Sequence, residues 1–228
     1  MPKSDSLRKT KLLTPAHEDY LKAIYSLGAH GEAVSNSALA NHLGVSPASA
    51  TNMVKKLSEL GLVEYARYQD VTLTPDGEKV ALEVLRHHRL LELYLYNKLN
   101  LTWDQVHDEA ERLEHVISET LEDAISTALN DPSIDPHGDP IPTKDGRIEQ
   151  VDGIPLSMAE PNRVYRVARV LVQDADRLIY LGGMGLYPNA AVTVLKRAPF
   201  AGPLLVEVDG DHHALAHELA DLLIVASA

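Results

Sequence analysis

At 228 residues the chain is long enough to bury a sizeable core and to hold two or three small domains. It contains no cysteine, which excludes disulfides, thiolate catalysis and cysteine-based zinc or iron-sulfur sites, so any metal must be held by His, carboxylates and carbonyls. The net charge of -12 is uneven: residues 1–75 sum to +1, residues 76–150 to -10 and the remainder to -3. A first third that is not acidic remains able to bind DNA, and an acidic middle suits a cation. There is neither a recognisable secretory signal nor an apolar run of membrane-spanning length, so the chain reads as soluble and cytoplasmic, with no membrane partner.

Residues 1–13 are polar and basic. Thr14 and Pro15 then open a helix whose apolar face is Leu21, Ile24, Tyr25 and Leu27. Asp19 sits near its start, where a carboxylate is ordinarily a partner for the helix dipole. After a loop at 28–33, Ser35 caps a short helix through Leu43, Gly44-Val45-Ser46 makes a tight turn, and a second helix runs from Pro47 to Leu60. This is a helix-turn-helix pattern. Its turn and second helix offer Ser46, Ser49, Thr51, Asn52, Lys55 and Lys56 to base edges and phosphates. A structural helical hairpin is the plainer reading of such a shape, but the next stretch tips the balance. Residues 61–65 and 71–74 read as strands around a turn at 67–70, and a hairpin directly after a recognition helix makes a winged helix. Arg67 would sit near the wing tip, placed for a phosphate contact.

Pro75-Asp76-Gly77 leads into a helix to Leu99, and after Thr102-Trp103 the spacing predicts one further helix from Asp104 to Leu129. On the first, His88 and Glu92 are four apart and share a face; on the second, His107 and Glu111 repeat that spacing, with Glu114 and His115 just beyond. Each segment also has an apolar stripe: Leu91, Leu95 and Leu99, and Val106, Ala110, Leu113 and Ile117. A single His/Glu pair is usually a solvated helix face. Two such pairs beside buried stripes, aimed at one helix-helix junction, point to a divalent metal. The second stripe continues through Leu121, Ala124, Ile125 and Ala128, longer than one junction requires, so part of it is expected to pack on a second subunit. Residues 130–161 are rich in Asp, Pro and Gly, and from Asn162 short strand-like runs punctuated by glycine suggest a small β-barrel. His212, His213 and His217 could bind metal, but incidental histidines on a surface helix are the preferred reading.

The expected architecture is mainly α with a C-terminal β-barrel. It comprises a winged helix-turn-helix DNA-binding domain (1–75), a helical metal-binding and dimerisation domain (76–145), a linker (146–161) and a small β-barrel domain (162–228).

Several separated motifs, in this order, resemble one family. Glu18-Asp19-Tyr20-Leu21-Lys22-Ala23-Ile24-Tyr25, the winged helix, His88-Arg89-Leu90-Leu91-Glu92, Val106-His107-Asp108-Glu109-Ala110-Glu111 through Glu114-His115, and Pro136-His137-Gly138-Asp139-Pro140-Ile141-Pro142 closely resemble the diphtheria toxin repressor and manganese transport regulator family. The likeness covers most of the first 142 residues; the C-terminal region is a weaker match to the SH3-like domain of the longer members. The resemblance implies a homodimeric, metal-activated regulator that binds double-stranded operator DNA, typically repressing metal-uptake genes. By position it implies a primary metal site of Asp19, Glu111, Glu114 and His115 and an ancillary site of His88, Glu92 and His107. Asp135 and His137 match a second site of some longer manganese-responsive members, and Asp174 aligns loosely with a C-terminal ligand of those members. The iron-responsive branch has Met and Cys where this chain has Asp19 and Glu111. Exchanging two soft sulfur donors for carboxylates favours a harder ion, making Mn2+ the first choice and Fe2+ the alternative. Lys22 stands where the short manganese regulators offer another carboxylate, which favours the two-site arrangement of the longer members.

Two other classes compete. A metallohydrolase could use the His/Glu cluster with Glu109 or Glu114 as base, but no nucleophile or HExxH arrangement accompanies it and the helix-turn-helix would be unexplained. A winged-helix regulator with an organic effector would leave the His and Glu residues purely structural. The chain is therefore expected to be a regulator and not an enzyme.

Overall fold

The computed structural model describes residues 13–29, 34–66 and 70–228. These form two compact units. One holds the chain up to His87 together with Pro142–Arg147; the other holds His88–Ile141 and Ile148–Ala228.

In the first unit, helices α1 (Pro15–Ala29), α2 (Asn36–His42) and α3 (Pro47–Glu59) are followed by two short antiparallel strands, β1 (Val63–Glu64) and β2 (Thr72–Leu73), and by the first half of α4 (Pro75–Leu99). Local chemistry sets the boundaries. Ser35 caps α2 by accepting the Ala38 N–H at 3.1 Å, and Ser46 caps α3 by accepting the Ser49 N–H at 3.1 Å, with Pro47 at the first helical position. Between them Gly44 takes a φ of 64°, the left-handed conformation that lets α2 stop and the chain turn into α3. Leu21, Ile24, Leu39, Val54, Leu57, Val63 and Val71 form the core, and each large side chain contributes about 1.5–3 kcal/mol by burial. Gly77 is fixed by packing: a Cβ there would lie 1.9 Å from the Leu62 carbonyl oxygen, so only glycine lets the first turn of α4 approach β1. The helix-turn-helix and its two-stranded wing thus form as the spacing predicts.

The second unit begins with the remainder of α4 and continues into α5 (Val106–Leu113) and α6 (Glu119–Ala128). The single helix expected over 104–129 is two. Ser118 accepts the Leu121 N–H at 3.3 Å and starts a new helix, leaving Glu114 as the C-cap of α5 and His115 in the turn between them. Leu90, Leu91, Ala110, Ile125 and Ile141 pack beneath these helices.

The C-terminal part is one six-stranded antiparallel sheet: β3 (Ile154–Pro155), β4 (Val164–Val170), β5 (Ala191–Arg197), β6 (Leu204–Val208), β7 (Asp211–Leu215) and β8 (Leu223–Ser227), in the order β3-β8-β4-β5-β6-β7. Helices α7 (Ala175–Gly183) and α8 (His217–Asp221) accompany it, over a core that includes Leu156, Leu178, Leu181, Val194, Leu204 and Leu223. The sheet ends on β3 and β7 instead of closing as the expected barrel. The two-residue β3 offers little backbone for closure. His212 and His213 lie on β7, not on a helix, because Asp209-Gly210 forms a two-residue hairpin with positive φ at both positions and returns the chain along β6; only His217 is helical, in α8.

Candidate metal centre and DNA-binding helix

The last turns of α4 bring His88 and Glu92 onto one face, as their spacing requires, and bury both. His107, on the first turn of α5, meets them. His88 Nε2, His107 Nδ1 and Glu92 Oε1 lie 3.0–3.1 Å from one another, and the His88 and His107 rings stand edge to face with centroids 4.9 Å apart. The opposite nitrogen of His88 is 2.6 Å from Glu114 Oε2 and 3.7 Å from Glu111 Oε1. Glu111 Oε1 is also 3.9 Å from His107 Nε2, and His115 Nε2 is 3.4 Å from Glu114 Oε1.

The loop after α6 adds a third side. His137 Nδ1 faces the other oxygen of Glu92 at 3.7 Å, while its Nε2 meets the Trp103 carbonyl at 2.9 Å. Asp135 is buried beside it, with Oδ1 accepting the backbone N–H groups of His137 at 2.8 Å and Asp139 at 2.9 Å. Glu92 is therefore common to two donor sets, one with His88 and His107 and one with Asp135 and His137.

Charge is finely balanced in this space. Burial pushes the Glu92 carboxyl up, but the charge of His88, the hydrogen bonds with His107 and His88 and the nearby His137 outweigh it and hold Glu92 well below the usual carboxylate range. Asp135 is pushed up to about 8 by burial and by the neighbouring charges of Glu92 and Asp139, against the pull of His137 and Arg89. Burial would lower His137, yet the Glu92 carboxylate 3.7 Å away, the charge of Asp135 and the Trp103 carbonyl raise it to about 9.

The donors suit a divalent cation. Ligand atoms bound at right angles at about 2.1 Å lie roughly 3.0 Å apart, close to the spacing of His88, His107 and Glu92. All the donors are imidazole nitrogens and carboxylate oxygens, with no sulfur.

The other expected residues fall as follows. Asp19 lies half-buried on α1, in the first unit. Asp174 is exposed and caps α7, where Oδ1 accepts the Arg177 N–H at 3.0 Å; it belongs to none of the donor sets found among the described residues. On α3, Ala50, Val54 and Leu57 are buried, which leaves Ser49, Asn52, Lys55 and Lys56 exposed. Ser46 is committed to capping α3, and Thr51 donates its hydroxyl to the Pro47 carbonyl at 2.9 Å. Arg67 lies outside the described residues. Sequence reasoning did not single out Arg89, Trp103 or Arg169. Trp103 acts here through a backbone carbonyl, which carries no residue signature, and the partners of both arginines lie far along the chain.

A winged helix followed by a buried His/carboxylate centre on helices defines a metal-responsive DNA-binding regulator, and comparison with known proteins gives its family. The profile described as the iron dependent repressor N-terminal DNA binding domain matches residues 12–71, that of the iron dependent repressor metal binding and dimerisation domain matches 74–143, and a FeoA domain matches 154–227. The iron-dependent repressor IdeR of Mycobacterium tuberculosis is 30% identical over 220 residues, covering 91% of this chain and 95% of the relative. The diphtheria toxin repressor of Corynebacterium diphtheriae is 36% identical over 197 residues, covering 82% of this chain and 87% of the relative. Among solved structures, a manganese-dependent transcriptional repressor in complex with manganese superposes with a TM-score of 0.86 at 38% identity, over 93% of this chain and 100% of that one. The chain belongs to the diphtheria toxin repressor family and is a metal-dependent transcriptional repressor, not an enzyme. No helix among the described residues is long and apolar enough to cross a membrane.

Proposed function

We propose that this repressor is activated by Mn2+, with Fe2+ as the alternative ion, and binds double-stranded operator DNA as a homodimer in the cytoplasm to repress metal-uptake genes. The observation that carries the metal reading is the buried convergence of His88, Glu92 and His107, joined by Asp135 and His137 on one side and by Glu111, Glu114 and His115 on the other. A set of imidazoles and carboxylates without sulfur favours Mn2+ over softer ions. From the family resemblance, Asp19 on α1 is the further ligand expected with Glu111, Glu114 and His115. When bound, a divalent cation would supply positive charge that balances these carboxylates.

Dimerisation is supported by the apolar side chains that a single chain leaves exposed from the end of α5 to the start of α6: Leu113, Val116 at 73% exposure and Leu121. The DNA contact is assigned to the exposed face of α3, where Ser49 and Asn52 can reach base edges and Lys55 and Lys56 phosphates. Metal shifts DNA affinity only to the extent that it binds the DNA-competent arrangement more tightly than the alternatives. The test is binding to DNA from the protein's own promoter region, titrated with Mn2+ and, anaerobically, with Fe2+. Tightening at lower Mn2+ than Fe2+ is the expected result; equal or reversed potency overturns the Mn2+ assignment, and the absence of any metal effect overturns the metal-activated reading.

A further inference from the structure

The loop that carries Asp135 and His137 runs against the end of β4. The Val170 N–H donates to the His137 carbonyl at 2.9 Å, and the Arg169 guanidinium donates to the Asp139 carboxylate. Gly138 has a φ of 85°, and a Cβ on it would lie 2.1 Å from the Ala168 carbonyl oxygen, so the loop touches the strand backbone where only glycine fits. Strand β4 is shaped for this. Its ladder with β5 covers only Val164–Arg166, whereas its pairing with β8 resumes after a shift between Val167 and Arg169 and runs to Val170, so beyond Arg166 the edge that faced β5 is left to other partners. The loop takes that place.

From β4 a chain of charges leads into the donor set. Asp139 also faces Arg89 at 3.6 Å, and Arg89 lies three residues before Glu92 on α4. Arg89 Nε is 3.7 Å from Asp135 Oδ2, and its Nη1 donates to the Pro140 carbonyl at 2.5 Å. The orientation of His137 is fixed by the same loop and by the Trp103 carbonyl: an Nε2–H donated to that oxygen leaves Nδ1 turned toward Glu92. Trp103 in turn packs on the Tyr187 ring, with centroids 4.6 Å apart.

We propose that the end of β4, acting through Arg169 and the close approach at Gly138, is a positioning element for the Glu92–Asp135–His137 donor set. The C-terminal sheet then tunes metal binding without donating a ligand: it holds the loop so that Asp135 and His137 meet Glu92. Arg169 is a positioning residue, reaching the donors through Asp139 and Arg89. The proposal rests on reading Glu92, Asp135 and His137 as metal ligands, and its test separates the two.

The experiment is calorimetric titration of the full-length apo protein with Mn2+, for the parent chain and for Arg169→Met, Arg169→Lys, Gly138→Ala and Asp135→Asn. Outer partners of metal ligands are typically worth about 10- to 100-fold in affinity. Arg169→Met is expected to weaken by that factor the same binding event that Asp135→Asn removes, leaving the remaining binding unchanged, and Arg169→Lys is expected to recover part of it. A merely structural role would lower the apo melting temperature and leave the isotherm of the folded protein as it was. Gly138→Ala tests the same clamp if Arg169→Met does not fold. An unchanged isotherm in Arg169→Met and Gly138→Ala, with the event lost in Asp135→Asn, overturns the positioning role and leaves the ligands standing. Parent-like isotherms in all four variants overturn both.

Discussion

His137 and Glu92 face each other across 3.7 Å inside the protein, with the far nitrogen of His137 held on the Trp103 carbonyl. The contact keeps His137 protonated up to about pH 9, while Asp135 beside it keeps its proton up to about pH 8. Both groups have folded-state pKa values raised above their ordinary ones, so both stabilise the apo fold at low pH. The Asp135 contribution is lost between its ordinary 3.8 and about 8, and that of His137 between 6.5 and about 9. The apo protein is therefore expected to melt at a lower temperature at pH 9 than at pH 6. On the proposal that Asp135 and His137 bind Mn2+, the ion displaces these protons, so Mn2+ affinity should rise over the same interval, with protons released into the buffer. Scanning calorimetry and titrations in buffers of different ionisation enthalpy, kept anaerobic, check both. An apo melting temperature that is flat or rising from pH 6 to 9 contradicts the first, and binding without proton release contradicts the second.

Glu114 is nearly inaccessible and lies 2.6 Å from His88 Nδ1, the shortest polar approach described in the metal centre. Replacing it with Gln keeps the shape and removes the charge, so His88 loses a charged partner while the cavity stays filled. Hydrogen bonds to charged groups are worth about 1.5–3 kcal/mol, against about 1 for neutral ones. Glu114→Gln should therefore lower apo stability by on the order of 1 kcal/mol. It should also abolish the response of DNA binding to Mn2+ in a mobility-shift titration. A parent-like metal response would remove Glu114 from the ligands.

Much of this centre is legible in the sequence because helical periodicity fixes it. His88 with Glu92, and His107 with Glu111, are neighbours by spacing, and the winged helix follows from caps, glycines and alternation. The periodicity hides the break between α5 and α6, because Val106, Ala110, Leu113 and Ile117 continue a helical stripe through a turn; the signal that overrides it is Ser118 as a cap. Strand count does not state closure, so the sequence points to a barrel where the sheet is open. The Asp209-Gly210 hairpin, by contrast, is a sequence signal that could have put His212 and His213 on a strand. Long-range support leaves no local trace: the approach of Arg169 to Asp139 joins residues thirty apart, and the acceptor for His137 is the backbone of Trp103.

On α3, the exposed residues divide by chemistry. Lys55 is a point charge suited to phosphate, so Lys55→Ala should weaken binding to all sequences alike and reduce the slope of log K against log salt by about 1. Asn52 carries an amide able to read a base edge, so Asn52→Ala should cost about 1–3 kcal/mol on operator DNA and much less on unrelated DNA. Fluorescence anisotropy on operator and scrambled duplexes at several salt concentrations separates the two. If Asn52→Ala lowers both affinities equally, its contact is to the backbone.

Leu121 is 48% exposed on the first turn of α6, in a segment whose partly uncovered apolar side chains support a subunit contact. In an isolated chain, Leu121→Lys trades partly solvated apolar surface for a charge and should change stability by less than about 0.5 kcal/mol. At a subunit interface the same change places an ammonium where apolar surface is buried and should drive the protein toward monomer. Sedimentation equilibrium at micromolar concentration, with and without Mn2+, is the measurement. A monomer with parent-like circular dichroism that no longer binds operator DNA would show that Leu121 is at the interface and that the dimer is the DNA-binding form. An undiminished dimer would move the contact elsewhere on the chain.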